Sequence, residues 1–230
     1  MHAEGAGRAL PVVIALFLAA ILVPPTVTGC AASSVGAGSA GTPAEAAARL
    51  PVGAVADRAT PTAHRVALAA EAQVGTTVTY DAAYVRIAYP GGDVPADRGA
   101  CTDVAIRAFR SVGVDLQVAV HKDMTDAFGK YPHLWGLTKP DPNIDHRRVP
   151  NLQTFFERKK KALRVTKSGA DYQPGDVVTW KVWGRPHTGV VSTRHAADGS
   201  HFLVVHNIGA GARVEDVLFA YEITGHYRYF

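Results

Sequence analysis

Hydrophobic residues follow helical spacing in the first half of residues 62–230 and strand spacing in the second half. Apolar residues recur with helical periodicity in segments that predict helices over 62–73, 101–112, 121–129 and 152–163. Short β-branched and aromatic runs predict strands over 77–80, 84–89, 176–182, 187–193, 202–208 and 219–229, with a hairpin turn at Asp198-Gly199. Helices followed by an antiparallel sheet predict an α+β domain.

A hydrophobic segment near the N-terminus is too short to cross a bilayer. Residues 9–23 are largely apolar and follow Arg8, whereas a membrane-spanning helix needs about 20 apolar residues. This pattern predicts a signal peptide over residues 1–29. The following Val27-Thr28-Gly29-Cys30 resembles a bacterial lipobox, which implies cleavage before Cys30 and lipidation of that cysteine. We therefore expect an exported protein that is anchored to a membrane through its lipidated N-terminus. The alternative is an ordinary signal peptide or an uncleaved anchor, in which Cys30 has no role.

Residues 30–61 have the composition of a flexible tether. They are rich in Ala, Gly, Ser and Pro and contain few large apolar side chains. Such a segment cannot bury enough surface to offset the entropy lost on ordering. This leaves one compact domain over residues 62–230, which is long enough to enclose a hydrophobic core.

Composition narrows the class of protein without identifying a function. The 230 residues are 47% hydrophobic and 19% charged, which excludes a disordered chain, a collagen and a coiled coil. Two cysteines exclude a disulfide-rich scaffold and a multi-cysteine metal site. The net charge of +4 suits an anionic surface or an acidic substrate. For an exported chain of this kind we expect no nucleic-acid partner, and we expect a monomer.

If lipid consumes Cys30, then Cys101 is the remaining thiol of an exported protein. Such a thiol is a liability unless it is buried or used in chemistry; a buried structural cysteine and a Cys30–Cys101 disulfide are the alternatives to a functional one. Cys101 begins a predicted helix after a loop that contains Gly91, Gly92 and Gly99. The positive end of a helix dipole lowers the pKa of a thiol. We therefore predict an accessible, ionised nucleophile.

Two histidines on neighbouring predicted strands could serve this thiol. His187 starts one strand and shares a face with Gly189, which leaves space beside the imidazole ring. His206 lies on the next strand, and the hairpin at 198–199 would bring it beside His187. Asn207 is an alternative orienting residue, but its side chain points to the opposite face of the strand. A thiol, a base and an orienting group are what nucleophilic catalysis requires.

Four segments of the chain resemble the domain-of-unknown-function family 1287. They are Tyr89–Asp103, Pro140–Arg148, His206–Gly211 and Gly225–Tyr229. That family in turn resembles the NlpC-type, papain-like cell-wall cysteine peptidases, which share Tyr-x-x-Gly-Gly, a Cys at a helix start, His-x-Gly at a strand start and a polar residue on the following strand. The resemblance implies a papain-like fold and a cysteine hydrolase that cuts an amide bond, with the peptide stems of peptidoglycan as substrate.

The resemblance also implies a role for each matching residue. Cys101 would be the nucleophile, His187 the base and acid, and His206 the orienting residue. Tyr89 would help to hold the oxyanion. Thr102-Asp103 stands where the distant relatives usually carry Ser-Gly, and the hairpin before His206 is longer than theirs; both departures concern substrate preference. The resemblance implies no cofactor and no metal.

Polar residues in the long loop between nucleophile and base are candidates for substrate recognition. Residues 132–150 contain four prolines together with Asp145, His146, Arg147 and Arg148. A guanidinium pairs bidentately with a carboxylate, which suits a peptide stem, but a structural cluster of ion pairs is an equal alternative. The candidate substrate contacts also include Asp103 and Asn207. Three tryptophans could line a groove, although core packing is expected for at least two of them: Trp135, Trp180 and Trp183.

Other functions stay open at this point. One is a papain-like amidase or transferase that acts on a lipid or protein amide, and another is a cell-wall-binding module with an inactive site. The third is a metal-dependent peptidase that uses His146, His187, His206 and His226. This last function is disfavoured because these histidines lack the close spacing of a metal-binding pair.

Overall fold

A computed structural model describes residues 51–230, and the predicted α+β architecture is confirmed. Four helices precede a six-stranded antiparallel sheet. The predicted signal peptide, the lipobox with Cys30 and the tether up to residue 50 lie outside the described residues. Within residues 51–230, no helix has the length and apolar character needed to span a membrane.

The helices begin at residues whose side chains or backbone suit a helix N-terminus. They are α1 (Pro61–Glu71), α2 (Cys101–Arg110), α3 (Leu116–Ala127) and α4 (Val149–Arg158). Thr60 accepts a hydrogen bond from the backbone of Ala63, and Asp115 accepts one from Gln117. Pro150 lies in the first turn of α4, where its missing N–H costs nothing. The helices α3 and α4 therefore begin earlier than the apolar spacing predicts.

The sheet is antiparallel throughout and has the order β3-β8-β4-β5-β6-β7. Its strands are β3 (Ala162–Leu163), β4 (Val177–Val182), β5 (Arg185–His195), β6 (Phe202–Asn207), β7 (Ala212–Glu215) and β8 (Glu222–Tyr227). The turn at Asp198-Gly199 joins β5 to β6 as predicted, with a backbone bond from Gly199 to Ala196. A separate parallel pair consists of β1 (Thr79–Tyr80) and β2 (Arg98–Gly99).

One predicted strand is wrong. Residues 84–89 form no strand, because side chains from the long loop take up the polar groups of this segment. The backbone of Ile87 donates to the side chain of Asn143, and the hydroxyl of Tyr84 donates to Asp141. The extended segment therefore lies against the loop instead of pairing with a neighbouring strand.

Two hydrophobic clusters cover the two faces of the sheet. The first packs α1, α2, α3 and α4 on the sheet through residues such as Val190, Val205 and Phe109. The second lies on the opposite face and contains Trp180 and Phe202. Because both faces are covered, β5 can carry a run of consecutive buried residues.

Residues 51–60 lie against the C-terminal half of the chain. The backbone of Val55 donates to Gly199, and the backbone of Arg58 donates to the side chain of Gln173. The contacts of the described chain thus extend N-terminal to residue 62, where the sequence pattern places the start of the domain.

Candidate active site

The nucleophile predicted from the sequence, Cys101, occupies the first position of α2. Asp103, three positions after the N-cap residue Ala100, reaches back and accepts a hydrogen bond from the Ala100 backbone at 2.6 Å. This contact fixes the first turn of the helix and therefore the position of the sulfur. Cys101 is a free cysteine, it is only 5% exposed, and it lines a cavity of about 340 Å³.

The predicted ionisation of this thiol is not what the structure shows. Burial raises the pKa of Cys101 to about 11, and the nearby carboxylate of Asp103 adds to the rise. Backbone N–H groups of Thr188, Thr102 and Cys101 act in the opposite direction, but desolvation is the larger effect. The helix N-terminus thus supplies donors to the sulfur without making it a thiolate.

The thiol lies next to the strand segment that carries the predicted base. The backbone N–H of Thr188, the residue after His187, interacts with the sulfur of Cys101. A second cavity, of about 150 Å³, is lined by His187. Tyr80 and Pro186 line both cavities, so the thiol and the imidazole open onto adjoining spaces.

His187 is the first member of a hydrogen-bonded chain. Its Nε2 lies 2.9 Å from Nδ1 of His206, and Nε2 of His206 lies 2.7 Å from a carboxylate oxygen of Glu215. An ionised carboxylate only accepts, so His206 carries its hydrogen on Nε2, and its Nδ1 accepts from Nε2 of His187. The arrangement therefore leaves Nδ1 of His187 unprotonated.

Both imidazoles are held in the neutral form. Burial lowers the pKa of His187 to about 3, and the neighbouring His206 contributes further. Burial also lowers the pKa of His206, against the opposing effect of Glu215. The resting site consequently combines a neutral thiol with a neutral base.

Strand register brings the two histidines together. Gly189 pairs with His206 across β5 and β6, which places His187, two residues earlier on the same face, beside the second ring. A Cβ atom at position 189 would lie 2.6 Å from a methyl group of Val204 and 3.1 Å from Cβ of His206. The absence of a side chain at 189 is therefore what permits this close approach, as the sequence pattern predicts.

Glu215 is the functional residue that sequence reasoning missed. It lies on β7, a strand of four residues that the apolar pattern did not predict. The available signal was the alternation of Ala212, Arg213, Val214 and Glu215 directly after Gly211. Since Arg213 pairs with His206, Glu215 lies on the same face of the sheet as the imidazole.

Tyr89 does not lie at the cavity that holds Cys101, although the resemblance assigns it to the oxyanion. Its ring is 45% exposed and packs edge-on against His121 on α3. The next residues are held toward α3 by bonds from the backbone of Gly92 to Gln117 and of Gly91 to Asp115. The tyrosine that lines both cavities is instead found on β1.

Tyr80 is that residue. It is 39% exposed, and burial of its hydroxyl raises its pKa, with further contributions from Cys101 and Asp103. It is positioned by β1, whose carbonyl at Thr79 accepts from the amide of Asn207, as does the carbonyl of Gly99 on β2. Asn207 thus ties β6 to the segment in front of the nucleophile, and His206, not Asn207, is in contact with His187.

Asp103 and Arg147 form a buried ion pair rather than two independent substrate contacts. The closest guanidinium nitrogen lies 2.9 Å from the carboxylate, and both side chains are 3% exposed. The remaining donors of Arg147 bind the carbonyls of Ala83 and Asp81. These contacts connect the long loop to the first turn of α2 and use four of the five guanidinium N–H groups, so the pair supports the site.

Two further predicted substrate contacts are buried. Asp145 is 1% exposed, accepts from the backbone of Asp141, and has its pKa raised to about 6 by burial. His146 is 2% exposed, and burial lowers its pKa to about 4. Both lie in a short 3-10 helix, Asp145–Arg147, that leads into α4. The structure therefore places them behind the cavity wall.

Arg148, in the same loop, lines the cavity with its charged side chain. Its guanidinium lies 4.3 Å from the ring centre of Trp135, which also lines the cavity and is 57% exposed. Trp183 lines the second cavity beside His187. Trp180 belongs to the core and donates its indole N–H to Leu218, so one of the three tryptophans, and not two, is a core residue.

The four histidines considered for a metal site do not converge. His187 contacts His206, whereas His226 binds Asp176 and His146 is buried in the long loop. Over residues 51–230 there is no group of three or more His, Cys, Asp or Glu side chains with the arrangement of a metal site.

Comparison with known proteins defines the family. Residues 67–229 match the family described as Domain of unknown function (DUF1287), so the chain belongs to this family, as its motifs indicate. The chain is also 56% identical over 166 residues to the "Uncharacterized protein YijF" of Escherichia coli (strain K12), which covers 72% of this chain and 80% of that protein. No solved structure matches the chain.

Proposed function

We propose that this protein is a papain-like cysteine hydrolase that cleaves an amide bond through Cys101 and His187. The observation that carries the proposal is the chain from His187 through His206 to Glu215, which leaves the free nitrogen of His187 unprotonated. The next residue on the same strand, Thr188, donates its backbone N–H to the sulfur of Cys101. A neutral base, a thiol and a fixed tautomer are the requirements of nucleophilic catalysis.

The first chemical step transfers a proton and forms a bond. The sulfur of Cys101 attacks the amide carbon while its proton moves to Nδ1 of His187, and the carbonyl oxygen becomes an oxyanion. His206 then accepts a hydrogen bond from a charged ring, and Glu215 stabilises that charge through His206. This order of events suits a thiol with a pKa of about 11, because proton loss accompanies the attack.

The second step releases the amine. The C–N bond breaks as His187 gives its proton to the leaving nitrogen, which leaves an acyl group on Cys101. Water then attacks the thioester, its proton passes to His187, and the free acid departs as the thiol forms again. The backbone N–H of Cys101 and the hydroxyl of Tyr80 are the proposed donors to the oxyanion, each typically worth about 3 kcal/mol.

The proposed substrate is the peptide stem of peptidoglycan, and the proposed location is the outer face of a membrane. The substrate class comes from the likeness to NlpC-type peptidases at the Cys, His-x-Gly and second His motifs. The location comes from the signal-peptide pattern and the lipobox at Cys30. The two cavities share Tyr80 and Pro186 and carry the exposed Trp135 and Trp183, and such adjoining, largely apolar spaces suit a peptide.

The test compares the intact chain with two variants on purified muropeptides, with the products identified by mass spectrometry. We expect Cys101→Ala and His187→Ala each to lower hydrolysis by at least about 10³-fold, because each removes a group that acts in the first step. The thermal midpoint of His187→Ala reports whether folding is retained.

A matched control separates chemistry from folding. His133→Ala removes an exposed histidine and should retain full hydrolysis. Stem cleavage that persists at the wild-type rate in Cys101→Ala would exclude the thiol mechanism. Intact muropeptides after incubation with the wild-type chain, under conditions where it is folded, would exclude the substrate class.

A further inference from the structure

The mostly apolar wall of the cavity beside Cys101 contains an arginine whose side chain makes no hydrogen bond within residues 51–230. The described residues that line it include Tyr80, Tyr84, Ile144 and Pro150, and the charged ones are Arg147 and Arg148. No carboxylate belongs to this lining within residues 51–230. The charge presented to a substrate is therefore positive.

The two arginines differ in how their donors are used. Arg147 binds Asp103 and two backbone carbonyls, so its charge is paired and four of its five N–H groups are used. Arg148 makes no side-chain hydrogen bond within residues 51–230, and its Nη1 is buried without a partner. Its side chain is 16% exposed, so water compensates it only in part.

The nearest acidic group does not satisfy Arg148. The closest oxygen of Asp145 lies 3.9 Å from Nη1, beyond hydrogen-bonding distance, and that oxygen also lacks a partner. A buried charged donor without a hydrogen bond costs more than a paired one. Nε and Nη2 of Arg148 also make no hydrogen bond within residues 51–230 but are not buried, so these two donors are open to a group that enters the cavity.

We propose that Arg148 binds a carboxylate of the substrate next to the amide bond that Cys101 cleaves. The guanidinium carbon lies 4.3 Å from the ring centre of Trp135, and the in-plane N–H groups of Nε and Nη2 are left for a planar, bidentate partner. A peptide that carries a free carboxylate close to the scissile bond fits this combination of a reactive thiol, apolar walls and one available guanidinium. The inference rests on the proposed function, since it names the substrate chemistry of the same cavity.

The experiment measures binding separately from cleavage. The full chain with Cys101→Ala is titrated by calorimetry with two probes, a disaccharide-peptide muropeptide with free carboxylates and the same muropeptide with its carboxylates converted to carboxamides. We expect the acid to bind at least about tenfold more tightly than the amide. Adding Arg148→Gln should abolish this preference, whereas adding Arg164→Gln, at an exposed arginine, should preserve it.

A second variant guards against a folding effect. Because Arg148→Gln also leaves Asp145 without its nearest cation, the pair Arg148→Gln with Asp145→Asn is measured alongside and should show the same loss of preference. Equal binding of acid and amide, or a preference that survives Arg148→Gln, would overturn the proposal. Inorganic phosphate that displaces the acid probe at equal concentration would also overturn it, since it would show a general anion site.

Cleavage by the wild-type chain distinguishes the two proposals. Equal rates on the acid and the amide would remove the carboxylate site and leave the hydrolase intact. An acid preference in binding that depends on Arg148, without cleavage of either probe, would retain the carboxylate site and refute the hydrolase.

Discussion

Two histidine–carboxylate pairs on the same sheet have equal N···O distances but different surroundings. Nε2 of His206 lies 2.7 Å from Glu215, and Nε2 of His226 lies 2.7 Å from Asp176. The second nitrogen of His206 binds His187 at the cavity, whereas the second nitrogen of His226 is buried without a partner in the described chain. The two pairs therefore differ at the second imidazole nitrogen, which contacts His187 in one pair and has no partner in the described chain in the other.

The surroundings of the carboxylates show the same contrast. Asp176 is 1% exposed and also accepts two bonds from Arg228 and one from the backbone of Gln173. Tyr172 stacks on the ring of His226 at 4.2 Å. The carboxylate of Asp176 is thus enclosed by its partners and acts as part of a structural unit, although Arg228 is 37% exposed and lines a further cavity together with His226. The Glu215 chain ends instead at His187, which lines the cavity next to that of Cys101. The Gly225–Tyr229 motif belongs to the structural unit, so a family motif need not mark catalysis.

The largest effect is expected from removing the buried carboxylate of the Asp176 cluster. Asp176→Ala removes four hydrogen bonds and leaves Arg228 and His226 without their carboxylate, so we expect unfolding free energy to fall by about 3–5 kcal/mol. Urea denaturation measures this change. Asp126→Ala, at an exposed carboxylate on α3, is the control and should stay within about 0.5 kcal/mol of wild type. Unchanged stability in Asp176→Ala would remove the distinction between the two pairs.

The second-largest effect is expected in the hydrogen-bonded chain of His187, His206 and Glu215. In Glu215→Gln the amide can donate to His206 as well as accept, so the hydrogen on the imidazole pair is no longer fixed and His187 loses its defined basic nitrogen. We expect kcat to fall by about 10–100-fold with KM and thermal midpoint nearly unchanged. Steady-state kinetics on the acid muropeptide give this split.

A second carboxylate variant tests whether the fall in kcat is specific to Glu215. Glu222→Gln, at an exposed carboxylate on β8, should retain the wild-type kcat. A loss of stability in Glu215→Gln with unchanged kcat would instead make the Glu215 pair structural, like that of Asp176.

The smallest effect concerns acid stability. Burial lowers the pKa of His187 from an ordinary 6.5 to about 3, so the folded protein does not take up the proton that the unfolded chain binds below pH 6.5. Stability that is fully present above pH 6.5 is therefore lost as the pH falls toward 3. Between pH 8 and 5 this histidine should account for about 2 kcal/mol.

Denaturation at several pH values tests this contribution. His187→Gln cannot titrate, so its loss of stability between pH 8 and 5 should be smaller than that of wild type by this amount. Parallel curves for the two proteins would show that His187 is not held neutral by burial.

Local pattern predicted much of the fold because much of it is locally encoded. The apolar spacing after Cys101 is strong enough to define α2, and Asp198-Gly199 defines the hairpin that sets the register of His187 against His206. The class of fold and the contact between these two histidines follow from these elements. The start of α3 was missed because Asp115, its N-cap, carries the signal in a side-chain bond rather than in apolar spacing.

Other features depend on contacts between distant segments. Tyr80 reaches the cavity because Asn207 binds the carbonyls of Thr79 and Gly99. No local sequence pattern near Tyr80 predicts these contacts. The roles of Arg147 and Arg148 are opposite although the residues are adjacent, because Asp103 lies within reach of only the first. The charge state of Cys101 was predicted wrongly since the helix N-terminus is a local signal, whereas burial depends on the whole fold.

The protonated state of the buried sulfur also bears on its chemical durability. Peroxides and disulfides react with thiolates far faster than with thiols. Because Cys101 is 5% exposed and its pKa is about 11, little thiolate is available to an oxidant at neutral pH. Cys101 is thus protected from conversion to sulfenic or sulfinic acid.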